Sequence, residues 1–212
     1  MDNSQKAVQV YNKIAEDYAS VFSKPSEYLD EFLELVPTNG KILDVGCGNG
    51  VDCLYVKQKG FNVVGVDMSA KMLEIARSKA PGIEYRQGDM RNLQFHENEF
   101  DGIIASCSLI HIPKQDVPKT LQRFTGFLKQ DGAIYIQLQS GTSEEVFVDE
   151  PFKPDEKLFV NVISPDEIEL LLRNAGFEIV HKHEIQSLKK EELDYTHLIV
   201  IARYTSAHKN IT

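Results

Sequence analysis

The hydrophobic positions along this chain fall into two rhythms. Five short β-rich runs, most of them nearly continuously apolar, occur at Lys41–Val45, Asn62–Asp67, Ile83–Gln87, Phe100–Ala105 and Ala133–Leu138. Strands covered on both faces carry such runs because neither side of the pleat meets water. Between them lie segments with helical spacing at Asp52–Lys59, Ala70–Lys79 and Val117–Leu128. Ser69, just after a strand, and Pro118, near a helix start, are helix-entry residues. The alternation predicts an α/β fold, a parallel sheet with helices on both faces.

The last third changes rhythm. Ser164-Pro165-Asp166-Glu167 reads as a capping box in which the glutamate reaches back to the serine. It opens a helix over Ile168–Asn174 that stops near Gly176. Two β-rich runs follow, Phe177–Ile185 and Tyr195–Arg203. The link Gln186–Asp194 is too short for a helical crossover, so these strands are expected to pair antiparallel. Two segments stand outside this scheme. Residues before about Val36 predict one or two amphipathic helices, with Val10, Ile14 and Val21 at helical spacing, a cap over residues 1–36. Residues 140–163 carry Glu144, Glu145, Asp149, Glu150, Asp155 and Glu156 and read as an irregular loop, either a lid or a solvated excursion.

At 212 residues the chain suits a single domain over 1–212. Hydrophobic residues make up 42% and charged residues 26%, which excludes a disordered class. The net charge of -9, with no useful run of lysine or arginine, disfavours nucleic acid as a partner. No apolar stretch approaches the roughly 20 residues needed to cross a bilayer, and the start lacks the pattern of a signal peptide. The 3 cysteines lack metal-ligand spacing, so reduced thiols in a cytoplasmic protein are expected.

The strongest chemical signal is Asp44-Val45-Gly46-Cys47-Gly48-Asn49-Gly50, which ends one strand and opens a helix. Glycines there let the chain turn tightly and bring bare backbone against a ligand, while the helix start presents unpaired N–H groups. A second strand ends at Asp67, an acid about twenty residues on that can accept hydrogen bonds from both ribose hydroxyls of an adenosine. A dinucleotide fingerprint wants a third glycine, but Val51 stands in that place. An NAD(P)-dependent oxidoreductase is therefore the weaker reading.

The glycine segment resembles motif I of the class I S-adenosylmethionine-dependent methyltransferases, and the resemblance extends roughly from Tyr11 to Arg203. It implies a Rossmann-like, doubly wound seven-stranded sheet of order 3-2-1-4-5-7-6, five parallel strands closed by an antiparallel hairpin. It also implies S-adenosylmethionine as cofactor and methyl transfer to an acceptor, by preference a small molecule. In that family Gly46 and Gly48 would face the methionine part, and Asp44 would orient the loop near its amino group. Asp67 would take the ribose hydroxyls and Met68 would pack on the adenine. Gly88-Asp89-Met90 resembles the third-strand turn, where Asp89 would accept from the adenine amino group. Phe100 to Ser106 resembles the fourth strand, which ends beside the transferring methyl group. Tyr11-Asn12-Lys13-Ile14-Ala15-Glu16-Asp17-Tyr18 is similar to a helix of small-molecule methyltransferases whose tyrosines, here Tyr11 and Tyr18, help cover the cofactor. Asn12 departs from the usual acid.

Displacement at a sulfonium methyl needs no covalent intermediate; alignment of the reacting atoms supplies roughly 7–11 kcal/mol. His111 is the candidate general base, with a structural histidine bonded to a backbone carbonyl as its alternative. His181, His183 and His197 are expected at the surface, and no metal is expected. Cys47 is expected to be inert. The Asn/Asp-Pro-Pro-Tyr/Phe motif of many amino-methylating enzymes is missing after the fourth strand, where Ser106-Cys107-Ser108-Leu109 stands, which argues against DNA as acceptor. A non-catalytic cofactor-binding protein, or a protein or tRNA acceptor, remain alternatives.

Overall fold

A computed structural model describes residues 2–186 and 195–205. Its strands are β1 (Lys41–Val45), β2 (Asn62–Asp67), β3 (Glu84–Gln87), β4 (Phe100–Ser106), β5 (Leu128–Ser140), β6 (Glu144–Glu150), β7 (Lys153–Val162), β8 (Phe177–Gln186) and β9 (Thr196–Tyr204). Its helices are α1 (Asn3–Val21), α2 (Leu29–Leu33), α3 (Val51–Gln58), α4 (Ala70–Lys79), α5 (Val117–Phe127) and α6 (Pro165–Asn174).

Seven strands form one sheet in the order β3-β2-β1-β4-β5-β9-β8, and β6 and β7 pair separately. The first five are parallel, whereas β9 runs antiparallel to both β5 and β8. Setting β6 and β7 aside, this is the expected order. Most of the link between β8 and β9, on which the hairpin reading rested, lies outside the described residues.

Period-two alternation sends neighbouring β1 residues to opposite faces of the sheet. Leu43 and Val45 pack with Ile103, Leu121 and Phe124 on one side. Ile42 packs with Phe32, Val56 and Ile104 on the other. Each such side chain, fully buried, contributes about 1.5–3 kcal/mol. The chain winds outward from β1 in both directions, to β2 on one side and β4 on the other. That reversal opens a crevice beyond the C-terminal ends of the strands, where ligands bind in such sheets.

Two expectations need correction. Residues 140–163 are not irregular: β6 and β7 form a hairpin in which Val146 faces Val160 and Val148 faces Leu158. Its acidic side chains masked this, because most of them face solvent, Glu150 being the buried exception, while Leu158, Phe159, Val160 and Val162 are buried. The capping box at α6 is also rearranged. Ser164 Oγ accepts from Glu167 N at 3.3 Å, but Glu167 does not reach back to the serine's N–H. Ser143 intervenes: its hydroxyl accepts from Ser164 N at 3.2 Å and donates to the Glu167 carboxylate.

Candidate active site

The turn after β1 is held by the strand beside it. Gly46 N and Cys47 N both donate to Val66 O, at 2.7 and 3.0 Å. Gly46 has φ +74°, and a Cβ there would lie 2.3 Å from Ser108 Cβ. Gly48 has φ +51°, yet a Cβ on it would meet nothing within 4 Å, so its bare backbone opens into space. Gly48 N donates to Asp67 Oδ2 at 2.8 Å, and Ser69 N donates to Asp67 Oδ1 at 2.7 Å. Asp67 thus joins two loops while each oxygen keeps a lone pair for a further donor. Burial pushes its carboxyl up, opposed by those backbone N–H bonds.

Two cavities open at this edge. The first, about 100 Å³, is lined by Asp67, Met68, Met90, Gly88 and the α1 residues Ser4 and Tyr11, among others. Ser4 Oγ and Ser108 Oγ line it as well, both buried and without a hydrogen-bond partner. The second, about 440 Å³, is lined by Asp44, Asn49 and Asp52 at one end and by Gln137, Gln139, Glu150 and His197 at the other. Tyr11, Tyr18, Gly46, Gly48, Ser106 and Cys107 line both.

Asp44 is buried and accepts from Cys53 Sγ at 3.1 Å. Burial, together with the nearby Asp52 carboxylate, raises its carboxyl well above the usual range. Asp52 went unnoticed in the sequence because an acid in a helix's first turn is ordinary. Here it fixes the chain entering α2, accepting from Ser26 N at 2.7 Å and Ser26 Oγ at 2.6 Å. Burial pushes the Cys47 thiol up to about 11, offset in part by its bond with Cys53, so it stays protonated and inert near neutrality.

Asp89 does not line either cavity. Its carboxylate accepts from Arg91 N at 2.9 Å and is gripped by the Arg91 guanidinium, with Nη2 at 2.6 Å and Nε at 3.0 Å. Arg91 also reaches Asp2 and Asp116, tying the third-strand turn to α1 and α5. Ser106 Oγ lies 2.8 Å from Ser26 Oγ and donates to Gln137 Oε1 at 3.3 Å.

His111 Nδ1 lies 3.0 Å from Phe159 O and Nε2 lies 2.9 Å from Tyr11 Oη. A carbonyl only accepts, so Nδ1 carries the proton and Nε2 accepts from the tyrosine hydroxyl. Burial lowers the ring's pKa to about 4, against the favourable carbonyl bond. His111 is therefore neutral, a weak base, and already occupied on both nitrogens. It joins α1 to β7, the arrangement of the structural alternative, with Phe159 of the hairpin as partner.

Asn12, the departure from the expected acid, accepts from Ser69 Oγ at 2.7 Å and so pins α1 to the start of α4. His181 and His183 lie on β8 beside Glu31, with His183 Nε2 2.7 Å from its carboxylate. His197 corrects the surface expectation: β9 is covered on both edges, and the ring is 8% exposed and lines the second cavity. Gln137 Nε2 donates to its Nδ1 at 3.2 Å. Among the described residues no group of three or more His, Cys, Asp or Glu is arranged to hold a metal ion, and no helix is long and apolar enough to cross a membrane.

Residues 42–132 match the family model of a methyltransferase domain. The chain is 30% identical over 151 residues to YqeM of Bacillus subtilis, named as a methyltransferase, a match over 68% of the chain and 61% of that protein. It is 25% identical over 176 residues to the phosphoethanolamine N-methyltransferase of Plasmodium falciparum, covering 81% of the chain and 64% of that protein. It thus spans about three fifths of these relatives' lengths. A solved S-adenosylmethionine-dependent methyltransferase of Methanosarcina mazei superposes with a TM-score of 0.76 at 17% identity, over 86% of this chain and 99% of that one.

Proposed function

Because the chain belongs to the class I S-adenosylmethionine-dependent methyltransferases, we propose that it transfers the methyl group of S-adenosylmethionine to a small-molecule acceptor in the larger cavity. The seam carries this reading: Tyr11, Tyr18, Gly46, Gly48, Ser106 and Cys107 wall both cavities, so ligands on either side would meet there. The residues fit the cofactor. Two buried hydroxyls without partners, Ser4 and Ser108, line the narrow cavity, and a polar ligand there would satisfy them. Gly48 offers open space where a side chain would block approach.

Bound there, S-adenosylmethionine supplies an electrophilic methyl group on a positively charged sulfur. Asp67 would accept from the ribose hydroxyls with the lone pairs its backbone bonds leave. Met68 and Met90 would pack on the adenine, and Asp44 would favour the ammonium group. Tyr11 and Tyr18 close the seam. Asp89 acts indirectly in this reading, by holding Arg91 and hence the turn that carries Met90. His111 is a positioning residue that latches α1 to the hairpin, and any proton the acceptor loses goes elsewhere. The phosphoethanolamine N-methyltransferases among the relatives, and the net charge of -9, favour a small acceptor over nucleic acid.

The test is a screen of metabolite pools for production of S-adenosylhomocysteine, beside binding of that product and of NADH. Product formation with one acceptor fraction is expected. NADH binding in its place would overturn the reading, and cofactor binding without turnover of any pool would leave a binding protein.

A further inference from the structure

We propose that the larger cavity is built for a small organic amine, its cationic nitrogen seated against Glu150 and among the rings of Tyr18, Phe22 and Phe152. The inference rests on the methyl-transfer reading and names the acceptor class for the same site. Glu150 ends β6 and is only 3% exposed. The turn that follows fixes its carboxylate, since Oε2 accepts from Phe152 N at 3.0 Å and Lys153 N at 3.1 Å. No hydrogen bond to Oε1, and no lysine or arginine partner, is found among the described residues. A buried carboxylate without a counter-ion is costly, and a cationic ligand would offset that cost.

The turn also carries Phe152 into a cluster of three rings. Tyr18 and Phe22 have centroids 4.4 Å apart, and Phe152 lies 6.3 Å from the first and 6.1 Å from the second. All three line the cavity with Glu150. Tilted aromatic faces beside a carboxylate suit an ammonium group, which is attracted to a ring within about 6 Å of its centroid. A second, independent feature points the same way. Gln139 is 6% exposed, lines the cavity, and its Oε1 has no hydrogen-bond partner. An orphaned buried acceptor calls for a donor, which an amine N–H supplies.

The charge of the walls narrows the class further. Lys24 is the only lysine or arginine lining the cavity among the described residues, against Glu27, Asp44, Asp52 and Glu150. An acceptor bearing phosphate would meet mainly like charge. In transfer, the ammonium first gives a proton to the Glu150 carboxylate, whose proton affinity burial raises. The neutral nitrogen's lone pair then forms the new C–N bond, while the C–S bonding pair leaves with sulfur as a neutral thioether. The product is again an ammonium.

Calorimetric titration with S-adenosylhomocysteine present tests this, using choline, its neutral isostere 3,3-dimethylbutan-1-ol, and phosphocholine as probes. Choline should bind at least about tenfold more tightly than the isostere, the scale of a desolvated cation–π contact with an ion pair. Glu150→Gln can keep the turn's two N–H bonds through its amide oxygen; it should cost choline about tenfold and leave S-adenosylhomocysteine within about twofold. Phe152→Leu should weaken choline more than the isostere. Equal binding of choline and isostere, or choline affinity unchanged by Glu150→Gln, overturns the amine site. Tighter binding of phosphocholine than choline overturns its phosphate-free character. Failure of the wild type to bind S-adenosylhomocysteine overturns the methyl-transfer reading itself, whatever the amines do.

Discussion

The two cavities are walled by different kinds of chemistry. Around the narrow one, backbone groups hold the loops, Gly46 N and Cys47 N to Val66 O and Gly48 N and Ser69 N to Asp67, with one side-chain latch between Tyr11 and His111. Around the wide one, side chains from distant segments meet: Ser26 with Asp52, Ser106 with Gln137, Gln137 with His197. A backbone site is specified by where the chain turns, and so by a short local motif. A side-chain site is specified by the tertiary fold, and its residues can change without disturbing the strands that carry them. The fixed half suits a constant cofactor and the variable half suits a particular acceptor.

The largest expected effect strikes the backbone side. Gly46→Ala places a Cβ 2.3 Å from Ser108 Cβ at a residue with φ +74°, so overpacking and left-handed strain act together. We expect a loss of about 4 kcal/mol in urea unfolding. Adding Ser108→Gly should restore only the part due to the clash. Full restoration would show that the turn does not need glycine's conformational freedom, and the contrast between the two halves would weaken.

The next effect is nearly as large and falls on the one side-chain latch in the wall of the narrow cavity. His111 has its pKa lowered from 6.5 to about 4 by burial, so the folded state binds fewer protons than the unfolded one between those values. Stability from this group is complete above pH 6.5 and lost as pH falls toward 4, an amount of about 3 kcal/mol. Asp44, Asp52, Asp67 and Glu150 have raised carboxyls and act in the opposite sense, losing stability as pH rises through their folded values. The informative quantity is therefore the difference between wild type and His111→Gln in unfolding free energy. That gap should shrink on acidification from pH 6.5 to 4; a gap independent of pH would mean the ring titrates as though exposed.

The same contrast explains what the chain disclosed before folding. β1, β2 and α4 were legible to the residue, because Ile42, Val64 and Leu73 sit where apolar periodicity, Ser69 and the glycine turn all agree. The β6–β7 hairpin was hidden, since charged residues on its outer face outweighed the inward Val146, Val148 and Leu158 in any local count. Asp44, Gly46, Gly48, Asp67, Met68, Met90, Ser106, Tyr11 and Tyr18 all line one cavity or both. Asp89 was placed by its motif, but Arg91 two residues on captures its carboxylate, a competition spacing alone does not reveal. Phe152 and Gln139 carried no signal, and Glu150 and His197 read as surface residues, because nothing local marks a side chain that the tertiary fold turns into a cavity, as Phe152 is turned against Tyr18 and Phe22.

Within the cofactor half, Asp67 and Asp89 offer a sharper comparison, with a smaller effect. Asp67→Ala should weaken S-adenosylmethionine binding by about tenfold or more, the scale of a lost charge-assisted hydrogen bond. Asp89→Ala should cost less affinity and more stability, since it frees Arg91 from a half-buried ion pair joined to Asp2 and Asp116. Equilibrium dialysis and thermal unfolding on both variants separate the two roles. Equal affinity losses would return Asp89 to direct contact with the ligand.

Tyr11→Phe should have the smallest effect and divides the halves most finely, because Tyr11 walls both cavities. The variant keeps the ring, and with it the edge contact to Tyr18 at 5.7 Å, but removes the hydroxyl that donates to His111 Nε2. A buried nitrogen loses its donor, at a cost of about 1 kcal/mol. The latch between α1 and β7 then rests on the ring contact of residue 11 with His111, whose centroids lie 5.2 Å apart, and on the exposed Lys13–Glu156 pair, which adds little. Loosening α1 moves Ser4 in the narrow cavity together with Tyr11 and Tyr18, which wall both. Affinities for S-adenosylhomocysteine and for choline should therefore fall together, each by about threefold, a fraction of the stability change. A loss confined to the cofactor would mean that α1 covers one cavity alone and that the hairpin holds the acceptor without it.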